Sequence, residues 1–280
     1  MVFSGGSFDT AHAAPVIGVP MGRGRLRPGQ RLRIDYFAVS PVFGSAVASC
    51  LTHPGVAEYM QQSIAALSRN YPWAGFLLNY DEIRQLRNDA DETSGFKSPG
   101  QLLAWHVKLA TRIARAASAS ARLYIWDDMF NPFHNAAPQR SETDAYFLAN
   151  GSLEGSWSGL DPAELVMMTW GPCDEDAPIP SGGDVCRYRS GLRFFAGHGF
   201  RQVVGGYYDF SPCAGCPRNG TAAAEREHRF TSGIPGVDGF MYTTWASNNA
   251  DHRPDYSQMC DYARTLRALA SADERTELQV

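Results

Sequence analysis

The sequence predicts an α/β fold, a (β/α)8 TIM-type barrel that is partial or truncated at its N-terminus, and three observations lead there. From Arg31 onward, short apolar runs rich in β-branched and aromatic residues alternate with longer stretches of helical period, the pattern of repeated βα units around a parallel sheet. Most of these runs are apolar without alternation, as strands covered on both faces require. The chain has 280 residues, enough for one barrel of about 250.

Taken in order, residues 1–30 are rich in Gly, Ala, Pro and Arg and read as a linker or lead-in, leaving 31–280 as the barrel domain. Candidate strands lie at 32–39, 75–80, 122–126, 165–170, 202–208 and 239–245. Between them, Val56, Tyr59, Met60, Ile64 and Leu67 recur at helical spacing. The best-marked helix begins at Ser98, where Ser98, Pro99 and Gln101 supply an N-cap, a proline at the first helical position and a capping-box partner. Its apolar face is expected to be Leu102, Trp105, Leu109 and Ile113. Further helices are expected at 187–196, 222–230 and 256–270. Six strands fall short of the eight that close a barrel, and 16–19 adds a seventh at most, hence the expectation of an incomplete one.

Composition narrows the function classes. Hydrophobic residues are 44% and charged residues 19%, and no apolar run approaches a membrane span, so a soluble protein without a membrane partner is expected. Lys97 and Lys108 are the only lysines, the arginines are scattered and the net charge is −4, which argues against a nucleic-acid partner. The N-terminus lacks a charged segment followed by an apolar core, so it does not read as a secretory signal and a cytoplasmic location is the default.

In a parallel barrel the catalytic groups gather at the C-terminal ends of the strands. There the sequence places Tyr80, Asp81 and Glu82; Trp126, Asp127 and Asp128; Trp170; Tyr207, Tyr208 and Asp209; and, in the last run, Tyr242 and Trp245. Carboxylates and large aromatics sharing one rim suit a carbohydrate, whose ring offers an apolar face to an aromatic and hydroxyls to carboxylates. Phosphate-binding signatures are missing: there is no GxxxxGK[ST] motif and no dinucleotide fingerprint. Gly205 and Gly206 sit inside a strand and are expected to admit a close neighbour. A carboxylate at a strand-to-helix junction is often just a cap, and a strand-end tryptophan is often rim packing. His53, His106, His134 and His198 are isolated and read as structural or surface residues.

At these positions the chain resembles the catalytic barrel of glycoside hydrolase family 20, the β-N-acetylhexosaminidases, and more closely bacterial proteins with a family-20-like barrel. The resemblance runs from about Arg31 to the end, and rests on the Asp81–Glu82 pair, the IWDDMF run at 125–130, Trp170, the Tyr207-x-Asp209 pattern and Trp245. It implies a glycosidase without a cofactor, acting on a terminal β-linked N-acetylhexosamine or related sugar. Glu82 would be the general acid, and Asp81 would orient the 2-acetamido group. Trp126, Trp170 and Trp245 would wall the pocket, Tyr207 would bond the acetamido oxygen and Asp209 would bind hydroxyls. Tyr80, Asp128 and Tyr242 complete the expected substrate-binding set. Adjacent carboxylates cannot easily flank a glycosidic bond at the roughly 5–9 Å of ordinary glycosidases, whereas substrate assistance needs only an acid and an orienter. The chain departs from the family at Leu78, Asn79 and Tyr80, where histidine and glycines are usual, and at Ser247, where a glutamate would bind a sugar hydroxyl.

Two other readings stay open on the same residues. Glu82 with Asp127 or Asp128 would make a conventional two-carboxylate pair, and a non-catalytic barrel would bind sugar without turnover. Cys173, Cys186, Cys213 and Cys216 fall in loops that would adjoin on a barrel mouth and offer a structural zinc site, with disulfides or free thiols as simpler states. Cys50 and Cys260 read as ordinary buried residues.

Overall fold

The computed structural model describes residues 2–4, 16–18, 29–31, 41–43, 46–47, 49–71, 75–83, 85–87, 90–137, 148–149, 152–170, 187–208, 219–243 and 256–277. Their order is β1 (Val2–Ser4), β2 (Val16–Gly18), β3 (Pro41–Phe43), β4 (Ala46–Val47), α1 (Pro54–Asn70), β5 (Phe76–Leu77), β6 (Gln85–Leu86), α2 (Ala90–Gly95), α3 (Pro99–Ala117), β7 (Leu123–Trp126), β8 (Leu148–Ala149), a 3-10 turn (Ser156–Gly159), β9 (Leu165–Thr169), α4 (Arg187–Gly197), β10 (Arg201–Tyr208), α5 (Gly220–Thr231), β11 (Val237–Thr243) and α6 (Tyr256–Glu277).

The central sheet has five parallel strands in the order β11-β10-β9-β7-β5. Within it the strands follow chain order, wound in one direction as a half-barrel, while β6 and β8 pair parallel in a separate two-stranded sheet. The expected eight-stranded (β/α)8 barrel is therefore corrected: the described residues form an α/β fold with a five-stranded sheet and six helices. Apolar runs in a sequence count candidate strands, but closure depends on which strands pair. The segment at 16–18 does form a strand, yet β2 pairs antiparallel with β1 instead of joining the parallel sheet. The expected strand at 32–39 lies outside the described residues.

The five parallel strands fall where continuous apolar runs were expected, and Leu123, Ile125, Leu165, Met167 and Val204 are buried to 2% exposure or less. Ser98 caps α3 by accepting from the Gln101 N–H at 3.2 Å, and Gln101 Oε1 accepts from the Lys97 N–H at 3.1 Å. The buried face of α3 is rotated from the expected one. Leu102, Leu103, His106, Val107, Ala110 and Ala114 are buried, while Trp105 and Ile113 pack partly exposed against the core. His53 caps α1 through Nδ1, which accepts from the Gly55 N–H at 3.1 Å. No described helix is long and apolar enough to cross a membrane.

Parallel pairing aligns the C-terminal strand ends. Leu77 pairs with Tyr124, Trp126 with Met168, Thr169 with Val204, and Tyr208 with Thr243. The loops after β5, β7 and β9 thus leave the sheet on one side, close together, and these carry Asp81–Glu82, Asp127–Asp128 and Trp170.

Candidate active site

The turn that delivers Asp81 and Glu82 is held in an unfavourable backbone conformation. Asn79, Tyr80 and Glu82 have φ of 66°, 70° and 40°, a left-handed region that costs non-glycine residues of order 1–3 kcal/mol each and persists only when the surroundings impose it. Three contacts impose it here. Asn79 O accepts from the Trp126 N–H at 3.1 Å. The buried Tyr80 hydroxyl lies 2.6 Å from His106 Nδ1 on α3. The Glu82 N–H donates to Asp128 Oδ2 at 2.9 Å.

Burial pushes the Tyr80 phenol up and lowers His106 to about 4, so the hydrogen bond joins a neutral hydroxyl to a neutral imidazole. Tyr80, expected among the substrate-binding residues, is thus turned inward to anchor the turn. Tyr80→Phe is expected to lower stability by about 1–3 kcal/mol, because His106 Nδ1 loses its hydrogen-bond partner in a buried setting; a urea melt with an unchanged midpoint would show that this pair does not anchor the turn.

Asp127 and Asp128 are both 0% exposed. Asp127 accepts from Asn131 Nδ2 at 2.7 Å and from the Trp170 N–H at 3.4 Å, and its own N–H donates to Met168 O at 3.1 Å. Asp128 Oδ2 accepts from Asn135 Nδ2 at 2.8 Å as well as from Glu82. Desolvation raises Asp127 to about 7 against these hydrogen bonds. It raises Asp128 well above the usual carboxylate range, with the nearby Asp81 charge adding to it. Neither has an ion-pair partner among the described residues. Asp128 was expected to meet substrate directly; it lies beneath the Asp81–Glu82 turn instead.

Asp81 and Glu82 remain partly exposed, as do Trp126 and Trp170. The Trp126 ring crosses the sheet to Gly205, where a Cβ would come within 2.9 Å of it. Gly206 serves the other face: a Cβ there would sit 2.0 Å from Glu227 Oε2 and 2.3 Å from the Tyr262 hydroxyl. The expectation that both glycines admit a close neighbour is thus met. Trp170 meets His134 edge to face at 4.8 Å.

Tyr242 points toward the helices, with its ring 5.8 Å from that of Tyr262 on α6, and lines a cavity of about 480 Å³ between β11 and α6. It is not brought to the Asp81–Glu82 turn. Tyr207 lies in β10, while Asp209, Trp245 and Ser247 lie outside the described residues, as do Cys173, Cys186, Cys213 and Cys216. Among the described residues no cluster of His, Cys, Asp and Glu could hold a metal ion. Cys50 is half-buried and Cys260 exposed, both as free thiols, which corrects the expectation that they are buried.

Sequence reasoning missed Asn131 and Asn135, and it read His106 as a structural or surface residue without placing it at the site. The first two follow the aspartates that they bond by four and seven residues, so the run DDMFNPFHN held a signal in its density of short amides. Gly191 on α4 makes room for one of them, since a Cβ there would meet Asn131 Nδ2 at 2.2 Å. His106 carries no such signal, because it is one polar residue on the apolar face of a helix. The strand ends thus present a partly exposed acidic pair on a strained turn, beside aromatic rings and above two buried carboxyls. No family model matches this chain, and no curated protein matches its sequence.

Proposed function

We propose that the chain is a glycoside hydrolase that cleaves a terminal β-linked N-acetylhexosamine or related sugar with retention, by substrate assistance. The observation that carries this reading is the Asp81–Glu82 turn, half-buried at both residues and pinned from below by the Glu82 N–H bond to Asp128. Strain of that kind gathers where a side chain must be aimed. Glu82 gives its proton to the glycosidic oxygen while the substrate's acetamido oxygen attacks the anomeric carbon and the leaving alcohol departs. Asp81 orients the acetamide and balances the positive charge that develops on it. Glu82 then takes a proton from water as that water attacks the same carbon and the acetamide is released.

Burial weighs against the conventional pairing of Glu82 with Asp127 or Asp128. Both aspartates are wholly buried and engaged by asparagines and backbone, so neither fits as a nucleophile or base reaching a glycosidic bond across a pocket.

The test is hydrolysis of an aryl β-N-acetylglucosaminide beside the matching β-glucoside, by the unmodified chain and by Asp81→Asn. Selective cleavage of the acetamido sugar is expected, with the loss in Asp81→Asn concentrated on that substrate. Binding of either sugar without cleavage by folded protein would favour the non-catalytic reading, and equal loss on both substrates would reduce Asp81 to a structural role.

A further inference from the structure

A groove of about 750 Å³ runs between α3 and the stretch from the 3-10 turn to Glu164, and its size falls within the roughly 300–1,000 Å³ of small-molecule sites. Its walls are fixed by contacts of their own. The backbone of Gly159 packs on that of Ala104, where a Cβ would meet Ala104 O at 2.3 Å, and Ser156 Oγ donates to Met129 O at 2.8 Å. At the far end Arg115 reaches from α3 to the Glu164 carboxylate and also donates to Ala119 O at 3.0 Å and Ala121 O at 2.5 Å. Ala121 and Glu164 immediately precede β7 and β9, so this end of the groove lies at the opposite end of the sheet from the Asp81–Glu82 turn.

The charges along the groove do not balance. Lys108, Arg112 and Arg115 line it from α3, against Asp161 and Glu164 from the other wall, in a chain whose net charge is −4 and which has only two lysines. Both carboxylates are already engaged: Glu164 holds Arg115, and Asp161 Oδ1 accepts from the Ala163 N–H at 2.9 Å within its own turn. Lys108 and Arg112 are exposed and make no hydrogen bond or ion pair with the described residues. They stand four apart on one helix face, an arrangement in which like charges repel and weaken the helix unless an anion offsets them. Trp105 stands three residues before Lys108 on the same edge. Its half-buried ring is held 5.3 Å from Phe96 and 6.0 Å from His106, and Leu160 faces the groove from the opposite wall.

We propose that this groove is a second binding site, separate from the strand ends, and that it takes a small phosphate monoester carrying a flat apolar group. The phosphate lies between Lys108 and Arg112, and the flat group lies against Trp105 and Leu160. A phosphate monoester carries close to two negative charges at neutral pH and three acceptor oxygens, which suits two adjacent cations better than a single carboxylate would. The planar guanidinium of Arg112 can give two parallel N–H donors to one phosphate, while Lys108 adds a point charge. Arg115 stays with Glu164 and shapes the end of the groove. The site stands on its own residues and does not depend on the glycosidase reading.

The experiment titrates phenyl phosphate, inorganic phosphate and phenol separately into the full chain labelled with nitrogen-15, following the Trp105 indole N–H, assigned by its loss in Trp105→Phe. Phenyl phosphate is expected to move that resonance saturably, with inorganic phosphate and phenol each binding about tenfold more weakly or worse, since each supplies half of the contacts. In the double variant Lys108→Gln, Arg112→Gln, which keeps the apolar stems and changes only exposed heads, affinity for phenyl phosphate should fall by about tenfold or more with the melting temperature unchanged. Rising potassium chloride should weaken binding in the unmodified chain and much less in the double variant. A Trp105 resonance that does not move, or an affinity that the double variant leaves intact, overturns the site. Equal affinities for phenyl phosphate and inorganic phosphate would reduce it to a bare patch of charge, and a loss in Asp81→Asn as large as in the double variant would move binding to the acidic turn; either result overturns the proposal. Should the double variant melt lower, the single variants Lys108→Gln and Arg112→Gln carry the same comparison, and unchanged affinity in both overturns it.

Discussion

Glu82→Gln is expected to lower hydrolysis of an alkyl β-N-acetylhexosaminide by about 10²–10⁴-fold while leaving the fold in place, the range in which general acid–base catalysis contributes. The two halves of this expectation have separate sources. Glutamine matches the carboxyl in shape but cannot give up a proton to a leaving oxygen. A structural tie of residue 82 runs through its backbone N–H to Asp128 Oδ2, and glutamine keeps that N–H. The side chain is partly exposed, so the stability change should stay within about 0.5 kcal/mol, as for surface substitutions. An aryl leaving group, which departs with little protonation, should show a smaller loss than an alkyl one. Rates on the two substrates, with circular dichroism melts of both proteins, check all three points. Undiminished turnover would remove Glu82 from the acid role, and equal losses on aryl and alkyl substrates would show that the side chain serves something other than the leaving group.

The parts of this architecture legible in the sequence were those that depend on local periodicity. Continuous apolar runs marked β7, β9, β10 and β11 because both faces of those strands are covered, and the Ser98-Pro99 cap marked the start of α3. The placing of acidic and aromatic residues at strand ends was legible too, since parallel pairing brings like ends together. Closure was not, because β2 had the composition of a sheet strand and took an antiparallel partner instead. Side-chain direction was illegible for a related reason. Tyr80 reads as a rim tyrosine, but a φ of 70° turns it to His106. Tyr242 reads as a rim residue as well, and faces Tyr262 and the helices. Asp127 and Asp128 are indistinguishable from exposed strand-end carboxylates until their burial and asparagine partners are known. Those partners sit in an irregular loop, where no period announces them.

Gly159→Ala is expected to be strongly destabilising for a single methyl, at about 3 kcal/mol or more, and to loosen the acidic pair from a distance. The 3-10 turn at Ser156–Gly159 meets α3 through backbone. A Cβ on Gly159 would lie 2.3 Å from Ala104 O and 2.4 Å from Ala104 Cα. A flexible side chain can swing away from such a clash, but a helix backbone moves only as a unit, so the overlap has to be relieved by shifting α3 or the turn. α3 also carries His106, two residues beyond Ala104, and His106 is what Tyr80 bonds. Displacing the helix therefore pulls on the strained turn that aims Asp81 and Glu82. Gly155→Ala supplies the control: it has φ of 79° but nothing within 4 Å of a Cβ, so it should cost only the ~1 kcal/mol of left-handed backbone strain. Denaturant melts of the two variants should differ by about 2 kcal/mol, and the His106 ring resonances should move in Gly159→Ala alone. Equal stabilities would mean that the turn yields without moving α3, and unmoved His106 resonances would cut the link between this packing contact and the site.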